Sequence, residues 1–148
     1  MKGKKIGVFV LALLAFAAEL LPYGVVINMA VETAGGAFAF RRAGYSYFDM
    51  SILIFGGYVQ FAAGVLTAAA LIVAGIYCLT GRFRLAAVFG WLSLAAAVLS
   101  AVPLFYLNGS YNAVSALVSV LLAAGAALGL MYSKRIPKNP ENTDSQGV

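Results

Sequence analysis

One acidic residue lies inside a long apolar stretch near the start of the chain. Glu19 is preceded by the apolar residues 6–18 and followed by Leu20 and Leu21. An acidic side chain at the centre of a membrane helix costs about 2.5–3.5 kcal/mol on insertion scales, so it faces protein or water and commonly marks an ion path. Burial also favours its neutral form. Glu19 is therefore either an ion, proton or small-ligand site or a hydrogen-bonding contact between helices.

Other polar residues in the apolar stretches fall near the depth of Glu19. At 1.5 Å per residue, Glu19 and Gln60 both lie roughly 14 Å below the outer ends of their predicted helices. We predict an intramembrane polar pocket in which the Glu19 carboxyl group hydrogen-bonds the Gln60 side chain directly or through water. The pocket contains Glu19, Gln60, Ser100 and Ser119, with Tyr58 at its rim.

A proline follows Glu19 by three residues. Proline removes a backbone donor and displaces the carbonyl group four residues earlier, which here belongs to Ala18. We predict a helix kink over residues 18–22, centred on Pro22, with a free carbonyl acceptor beside the Glu19 carboxyl group.

The residues that most enzymes and metal sites need are missing. The 148-residue chain has no histidine and a single cysteine, Cys78, so it lacks an imidazole base, a cysteine pair and a zinc-ligand set. We predict no catalysis, no metal and no cofactor. The net charge of +5 comes from short basic clusters at the edges of apolar runs, which is typical of membrane proteins rather than of nucleic-acid binding.

The elements that carry these residues are predicted to be membrane helices. The sequence is 63% hydrophobic and 10% charged, which excludes an ordinary soluble domain. Apolar stretches of about 20 residues can cross a bilayer as helices, which satisfy their backbone polar groups internally. The predicted fold is an all-α bundle of four transmembrane helices, a single domain over residues 1–135, with helices at about 6–29, 52–79, 85–107 and 113–132.

Basic residues set the predicted orientation. Eight of the ten Lys and Arg residues lie near the N-terminus, the connection 80–84 or the end of the fourth helix, whereas Arg41 and Arg42 lie on the other side. Both termini are therefore predicted to be cytoplasmic. The tail 136–148 has little to bury and is predicted to be disordered. A cleaved secretory signal is the alternative for the first segment.

A long outer loop over residues 30–50 separates the first two predicted helices. Residues 37–40 and 45–48 carry aromatic side chains at alternate positions on either side of the sequence Arg41-Arg42-Ala43-Gly44, which predicts a short β-hairpin that turns there. One aromatic face should rest on the helix ends or in the interfacial layer and cover the pocket. That face contains Phe38, Phe40, Tyr45 and Tyr47.

Small residues recur along the predicted helices. Gly125 and Gly129 form a GxxxG pair on the fourth helix, and such residues allow helices to approach closely in lipid. The pair predicts either packing within the bundle or an interface with a second copy or another membrane protein. The abundance of Ala and Gly favours internal packing.

Two short motifs resemble small four-span bacterial membrane proteins of unassigned function. They are ELLPYG over residues 19–24 and SYF over residues 46–48. The resemblance implies a bacterial inner membrane and brings no activity with it. Small multidrug transporters also have a glutamate in the first of four helices, but this chain departs from them in its long first loop, in Pro22 and in its charge bias.

The function predicted from these features is that of an integral membrane protein that acts through binding or as an assembly or accessory subunit. Its expected surroundings are the lipid bilayer, and nucleic acid is not expected as a partner. The alternative is a small proton- or cation-coupled transporter that uses Glu19.

Overall fold

The computed structural model describes residues 2–54, 57–105 and 112–134. Most of these residues are helical, and a two-stranded antiparallel sheet lies between the first two helices. The elements are α1 Lys2–Glu19, β1 Val25–Glu32, β2 Phe38–Tyr45, α2 Ser51–Ile54, α3 Tyr58–Thr80, α4 Phe83–Ala101, which continues as a 3-10 helix over Val102–Phe105, and α5 Ala113–Ser133.

Three of the described helices are long and apolar enough to cross a membrane, namely α3, α4 with its 3-10 extension, and α5. The predicted first span over residues 6–29 is wrong, because α1 ends at Glu19 and β1 begins at Val25. Pro22 cannot continue the helical hydrogen-bonding pattern, and the β-branched residues that follow it suit a strand. The count of four predicted spans is thereby reduced to three.

The predicted second helix, residues 52–79, is divided in two. α2 is a single turn, and α3 begins at Tyr58 after a turn at Gly57. The Gly57 N–H donates to the Ile52 carbonyl oxygen at 2.7 Å. A Cβ atom on Gly57 would lie 2.9 Å from Ile52, so a larger residue would disrupt this turn.

The last two helices lie close to their predicted ranges. α4 begins at Phe83, two residues before the predicted 85, and with its 3-10 extension reaches Phe105, while the predicted end at 107 lies outside the described residues. α5 starts at the predicted residue 113 and ends one residue beyond the predicted 132. α1 and α4 each pack against α3 and α5, so the long helices form a closed ring. The predicted disordered tail, residues 136–148, lies outside the described residues.

Small residues bring α4 and α5 together. A Cβ atom on Gly129 would lie 2.8 Å from the Phe89 side chain and 2.9 Å from the Ala86 carbonyl oxygen, and one on Gly125 would lie 3.3 Å from Phe89. Both glycines are buried. The GxxxG face of α5 is therefore occupied by α4 of the same chain and is not open to a second copy.

The hairpin is present, but its strands and turn differ from the predicted ones. β1 pairs with β2 from Val25 opposite Tyr45 to Glu32 opposite Phe38. The turn lies at residues 33–37, where Gly36 has a φ of 75°. The predicted turn at residues 41–44 lies inside β2, because the partner strand comes from residues that were assigned to the first helix.

The four predicted cover residues do not share one face. Side chains alternate along a strand, so Phe38 and Phe40 point to the opposite face of β2 from Tyr45. Phe38 is 71% exposed and Phe40 is 83% exposed. Tyr47 lies beyond the end of β2 and is completely buried. The prediction that these aromatic residues form a common cover is therefore wrong.

Candidate functional site

α1 ends inside the molecule, and its last residue is the buried Glu19. The Glu19 side chain contacts Thr67, which lies nine residues after the start of α3 at Tyr58. At 1.5 Å per residue, this contact is roughly 14 Å from the N-terminal end of α3. The Glu19 carboxyl group is thus near the middle of a helix that is long enough to cross a membrane.

The Thr67 hydroxyl group has two close oxygen neighbours. Its Oγ1 atom lies 2.8 Å from Glu19 Oε1 and 3.0 Å from the Ala63 carbonyl oxygen. A hydroxyl group has one proton and cannot donate to both oxygens. Both contacts are hydrogen bonds if a neutral Glu19 donates to Thr67 and Thr67 donates to Ala63.

The second carboxyl oxygen of Glu19 supports the same protonation state. Glu19 Oε2 is buried and has no hydrogen-bond partner among the described residues. A buried ionised carboxylate costs far more free energy than a neutral carboxylic acid when a partner is missing. The arrangement therefore suits a glutamic acid that keeps its proton.

Gln60 makes no direct hydrogen bond to Glu19, whose Oε1 atom contacts Thr67 and whose Oε2 atom has no hydrogen-bond partner among the described residues. Gln60 is buried near the start of α3, seven residues and roughly 10 Å from Thr67 along the helix. The predicted depths assumed helix ends at residues 29 and 52. Since α1 ends at Glu19 and α3 starts at Tyr58, the two side chains lie at different depths.

A second polar cluster joins the segment that follows β2 to α4 and α5. Tyr47 Oη lies 3.0 Å from Ser100 Oγ, and Ser119 Oγ lies 3.1 Å from Ser100 Oγ. Tyr47 and Ser100 are completely buried. The structure thus brings two predicted pocket serines together, and their aromatic partner is Tyr47.

Tyr47 and Phe48, which we call the plug, pack beside Glu19 at the end of the molecule that carries the hairpin. The Tyr47 backbone N–H donates to the Glu19 carbonyl oxygen at 3.1 Å. A Cβ atom on Gly64 would lie 3.1 Å from Phe48 and 3.3 Å from Tyr47. Gly64 precedes Thr67 by about one helical turn, so the plug lies one turn closer to the start of α3 than the contact between Glu19 and Thr67 does.

Pro22 lies in a turn and does not kink a continuing helix. The turn follows the end of α1, and the Leu21 N–H donates to the Ala18 carbonyl oxygen at 3.2 Å. The carbonyl group that was predicted to be a free acceptor is therefore hydrogen-bonded. Pro22 acts by ending α1 and so fixes Glu19 at its C-terminus.

The start of α5 holds this turn in place. The Ser115 hydroxyl donates to the Gly24 carbonyl oxygen at 2.6 Å, and the Asn112 side-chain amide donates to the Tyr23 carbonyl oxygen. Asn112 also caps α5, because its Oδ1 atom accepts the backbone N–H groups of Val114 and Ser115 at 2.9 and 3.0 Å. The side chains of Ser115 and of the N-cap residue Asn112 thus fix the path of the chain after Glu19.

Tyr58 lies apart from Glu19, and the described residues around it do not form a metal site. Tyr58 is exposed at the first residue of α3, two residues before Gln60, and so lies away from the Glu19 carboxyl group. Across the described ranges, no group of three or more His, Cys, Asp or Glu residues could hold a metal ion.

Sequence reasoning missed Thr67, although a hydroxyl residue within the apolar stretch of α3 was a visible signal. The resemblance to small four-span bacterial membrane proteins stays a prediction. No protein-family model, no curated protein and no solved structure matches this chain.

Proposed function

We propose that the chain is a multi-pass protein of a bacterial cell (inner) membrane, with both termini in the cytoplasm, that acts as a binding or assembly subunit through its outer hairpin. α1 is the fourth helix of the proposed membrane bundle, in which α3, α4 and α5 provide the long spans. Its mode of action is contact with another protein chain rather than catalysis.

The distribution of basic residues supports this orientation. The Cys78 thiol near the end of α3 donates to the Lys5 carbonyl oxygen at 3.2 Å, so the start of α1 and the end of α3 lie together. Arg82 and Arg84 occupy the connection to α4 and its first turn, and Lys134 follows α5. Positive charge near helix ends favours the cytoplasmic side.

The exposed half of the hairpin is the observation that carries the proposal. Its base is anchored, since Val25 is buried and Tyr45 packs against the core. Phe38 and Phe40 are exposed on β2, next to the exposed Arg42. Aromatic and arginine side chains on a well-supported surface are the residue types that dominate protein–protein contacts.

Site-specific photocrosslinking in cells tests the binding function. A photoreactive amino acid at Phe40 should form an adduct of discrete mass with a second copy or another protein. The matched control is the same amino acid at Trp91, an exposed aromatic residue of α4. Protein adducts at Phe40 that disappear in a Phe38→Ser background support the proposal, and lipid adducts alone at both positions contradict it.

A second candidate function is proton-coupled transport through Glu19. The observation that favours it is the buried Glu19 Oε2 atom, which lies at a depth near the middle of α3 and has no hydrogen-bond partner in the described part of the chain. Intramembrane carboxyl groups commonly serve as proton relays. In liposomes, Glu19→Gln should abolish proton-coupled flux, while Glu32→Gln, at an exposed position of β1, should leave it unchanged. Equal flux in the wild type and Glu19→Gln would remove this candidate.

A further inference from the structure

We propose that Glu19 and Thr67 form a buried proton-binding site, and that the plug of Tyr47 and Phe48 controls the exchange of this proton with the outer aqueous phase. The inference deepens the second candidate function and rests on the Glu19 site named there. It assigns Thr67 as the partner of the bound proton and Tyr47 as its gate.

The groups at this site suit a proton. They are one carboxyl group and one hydroxyl group, with Thr67 Oγ1 at 2.8 Å from Glu19 Oε1. Calcium and magnesium ions usually take six or more oxygen ligands, which is far more than this pair supplies. When Glu19 is neutral, its carboxyl proton is donated to Thr67 Oγ1 and the Thr67 hydroxyl proton is donated to the Ala63 carbonyl oxygen, so each proton has one acceptor.

The elements packed against α1 supply no cation that would hold Glu19 in its ionised form. α1 packs against α3 and α5, and neither helix contains a charged residue. On α1 itself, the nearest basic residue is Lys5, which is separated from Glu19 by roughly 21 Å of helix. The local surroundings therefore favour the protonated acid.

The plug blocks the outward route from this site. Glu19 is completely buried, and Tyr47 and Phe48 fill the space beside Gly64, one turn outward of Thr67. The Phe48 ring also packs against Phe16 of α1, with ring centroids 5.4 Å apart. A proton that leaves Glu19 toward the outer surface must pass these two aromatic side chains.

A line of hydroxyl groups leads outward from the plug. It starts at the contact between Tyr47 Oη and Ser100 Oγ and continues to Ser119 Oγ, which lies 2.9 Å from the Ser115 carbonyl oxygen. Ser115 Oγ lies 3.4 Å from Asn112 Oδ1 at the start of α5. Displacement of Tyr47 would leave these groups to bind the water that carries the proton.

Infrared spectroscopy of the full-length protein in liposomes tests the site. The chain has only five acidic residues, and those with ordinary acidity are ionised at about pH 7. The wild type should therefore show a carboxylic-acid band at about pH 7 that is absent from Glu19→Gln. A wild type without this band, or a band that survives in Glu19→Gln, would overturn the proton-binding site.

Transfer into deuterium oxide tests the gate through the rate at which this band shifts. Tyr47→Phe keeps the ring and removes its hydrogen bond to Ser100, so exchange should become about two- to tenfold faster. Tyr45→Phe is the matched control, because it makes the same chemical change on β2 outside the plug, and it should leave the rate unchanged. Equal rates in the wild type and Tyr47→Phe would overturn the gate.

A second variant tests the gate again, and a flux measurement separates this inference from transport. Tyr47→Ala removes most of the plug and should accelerate exchange more than Tyr47→Phe does, and Tyr47→Phe alone decides the question if the alanine variant does not fold. A protein that shows the band and the gated exchange but carries no flux would retain the inference and lose the transport function. Flux without the band would retain the transport function and overturn the proton-binding site.

Discussion

Thr67 performs two tasks with one side chain. It contacts Glu19, and it also contacts the carbonyl group of Ala63 on its own helix. Because Thr67 is itself bonded to the backbone of α3, its contact fixes the Glu19 carboxyl group relative to that helix. Removal of the hydroxyl group would leave both carboxyl oxygens of Glu19 without a side-chain partner in the described part of the chain.

We expect Thr67→Val to destabilise the protein. The substitution keeps the shape of the side chain and removes the hydroxyl group, which should cost about 0.6–2 kcal/mol of unfolding free energy. Thr80→Val is the matched control, because the Thr80 hydroxyl makes the same type of contact with Ile76 at an exposed position. Thermal melting in detergent measures the difference, and equal shifts for the two variants would disprove the special role of Thr67.

Sequence alone could identify Glu19 as unusual but could not identify its partner. A carboxyl group in an apolar stretch is costly and therefore informative. A threonine in such a stretch is less informative, because its hydroxyl can bond to the carbonyl group four residues earlier, as Thr80 does. Only the place where α1 ends distinguishes Thr67 from Gln60 as the neighbour of Glu19.

At the scale of elements, glycines set the distances between helices. Gly129 and Gly90 lie at the contact between α4 and α5, where added side-chain atoms would meet Phe89 and Leu130. Gly7 on α1 has open space around the position of a Cβ atom. Replacement of glycine by alanine should therefore lower the stability of the protein at the contact between α4 and α5 but not at Gly7.

We expect Gly129→Ala to destabilise the protein by about 1–3 kcal/mol, because overpacking forces α4 and α5 apart. Gly7→Ala should be neutral or stabilise it by up to about 1 kcal/mol, since alanine is the better helix former. Unfolding in detergent measures both. Destabilisation by Gly7→Ala, or no effect of Gly129→Ala, would contradict the packing described here.

The hairpin illustrates a limit of pattern-based prediction. Its existence followed from alternation along residues 37–40 and 45–48, but β1 was not predicted because Val25, Val26 and Ile27 resume the apolar character of α1 soon after Pro22. Pro22 was the available signal for the end of the helix, and Gly36 was the better candidate for the turn. Register depends on which two segments pair, and the alternation within one segment does not identify its partner.

At the scale of the whole molecule, the basic residues near the helix ends lie at one end and the hairpin lies at the other. The starts of α1 and α4 and the ends of α3 and α5 lie at the end of the molecule that carries Lys5, Arg82, Arg84 and Lys134. The hairpin leaves from the opposite end, where Ser115 at the start of α5 contacts Gly24.

Cysteine labelling in intact cells tests the proposed orientation. In a Cys78→Ala background, which removes the single native cysteine, Ala34→Cys in the hairpin turn should react with a membrane-impermeant maleimide. Thr80→Cys, at an exposed position near the end of α3, should react only after the cells are permeabilised. Labelling of Thr80→Cys in intact cells would reverse the orientation.

The hairpin leaves and re-enters the body of the protein at one point, because Val25 and Tyr45 are directly paired. The separation of these anchors does not depend on the number of residues between them, and doubling the length of a flexible loop costs only about 0.6 kcal/mol. The residues between Val25 and Tyr45 can therefore be lengthened, shortened or exchanged without changing the helices to which the hairpin is anchored. The fold thus separates a constant membrane part from a module that is free to diversify.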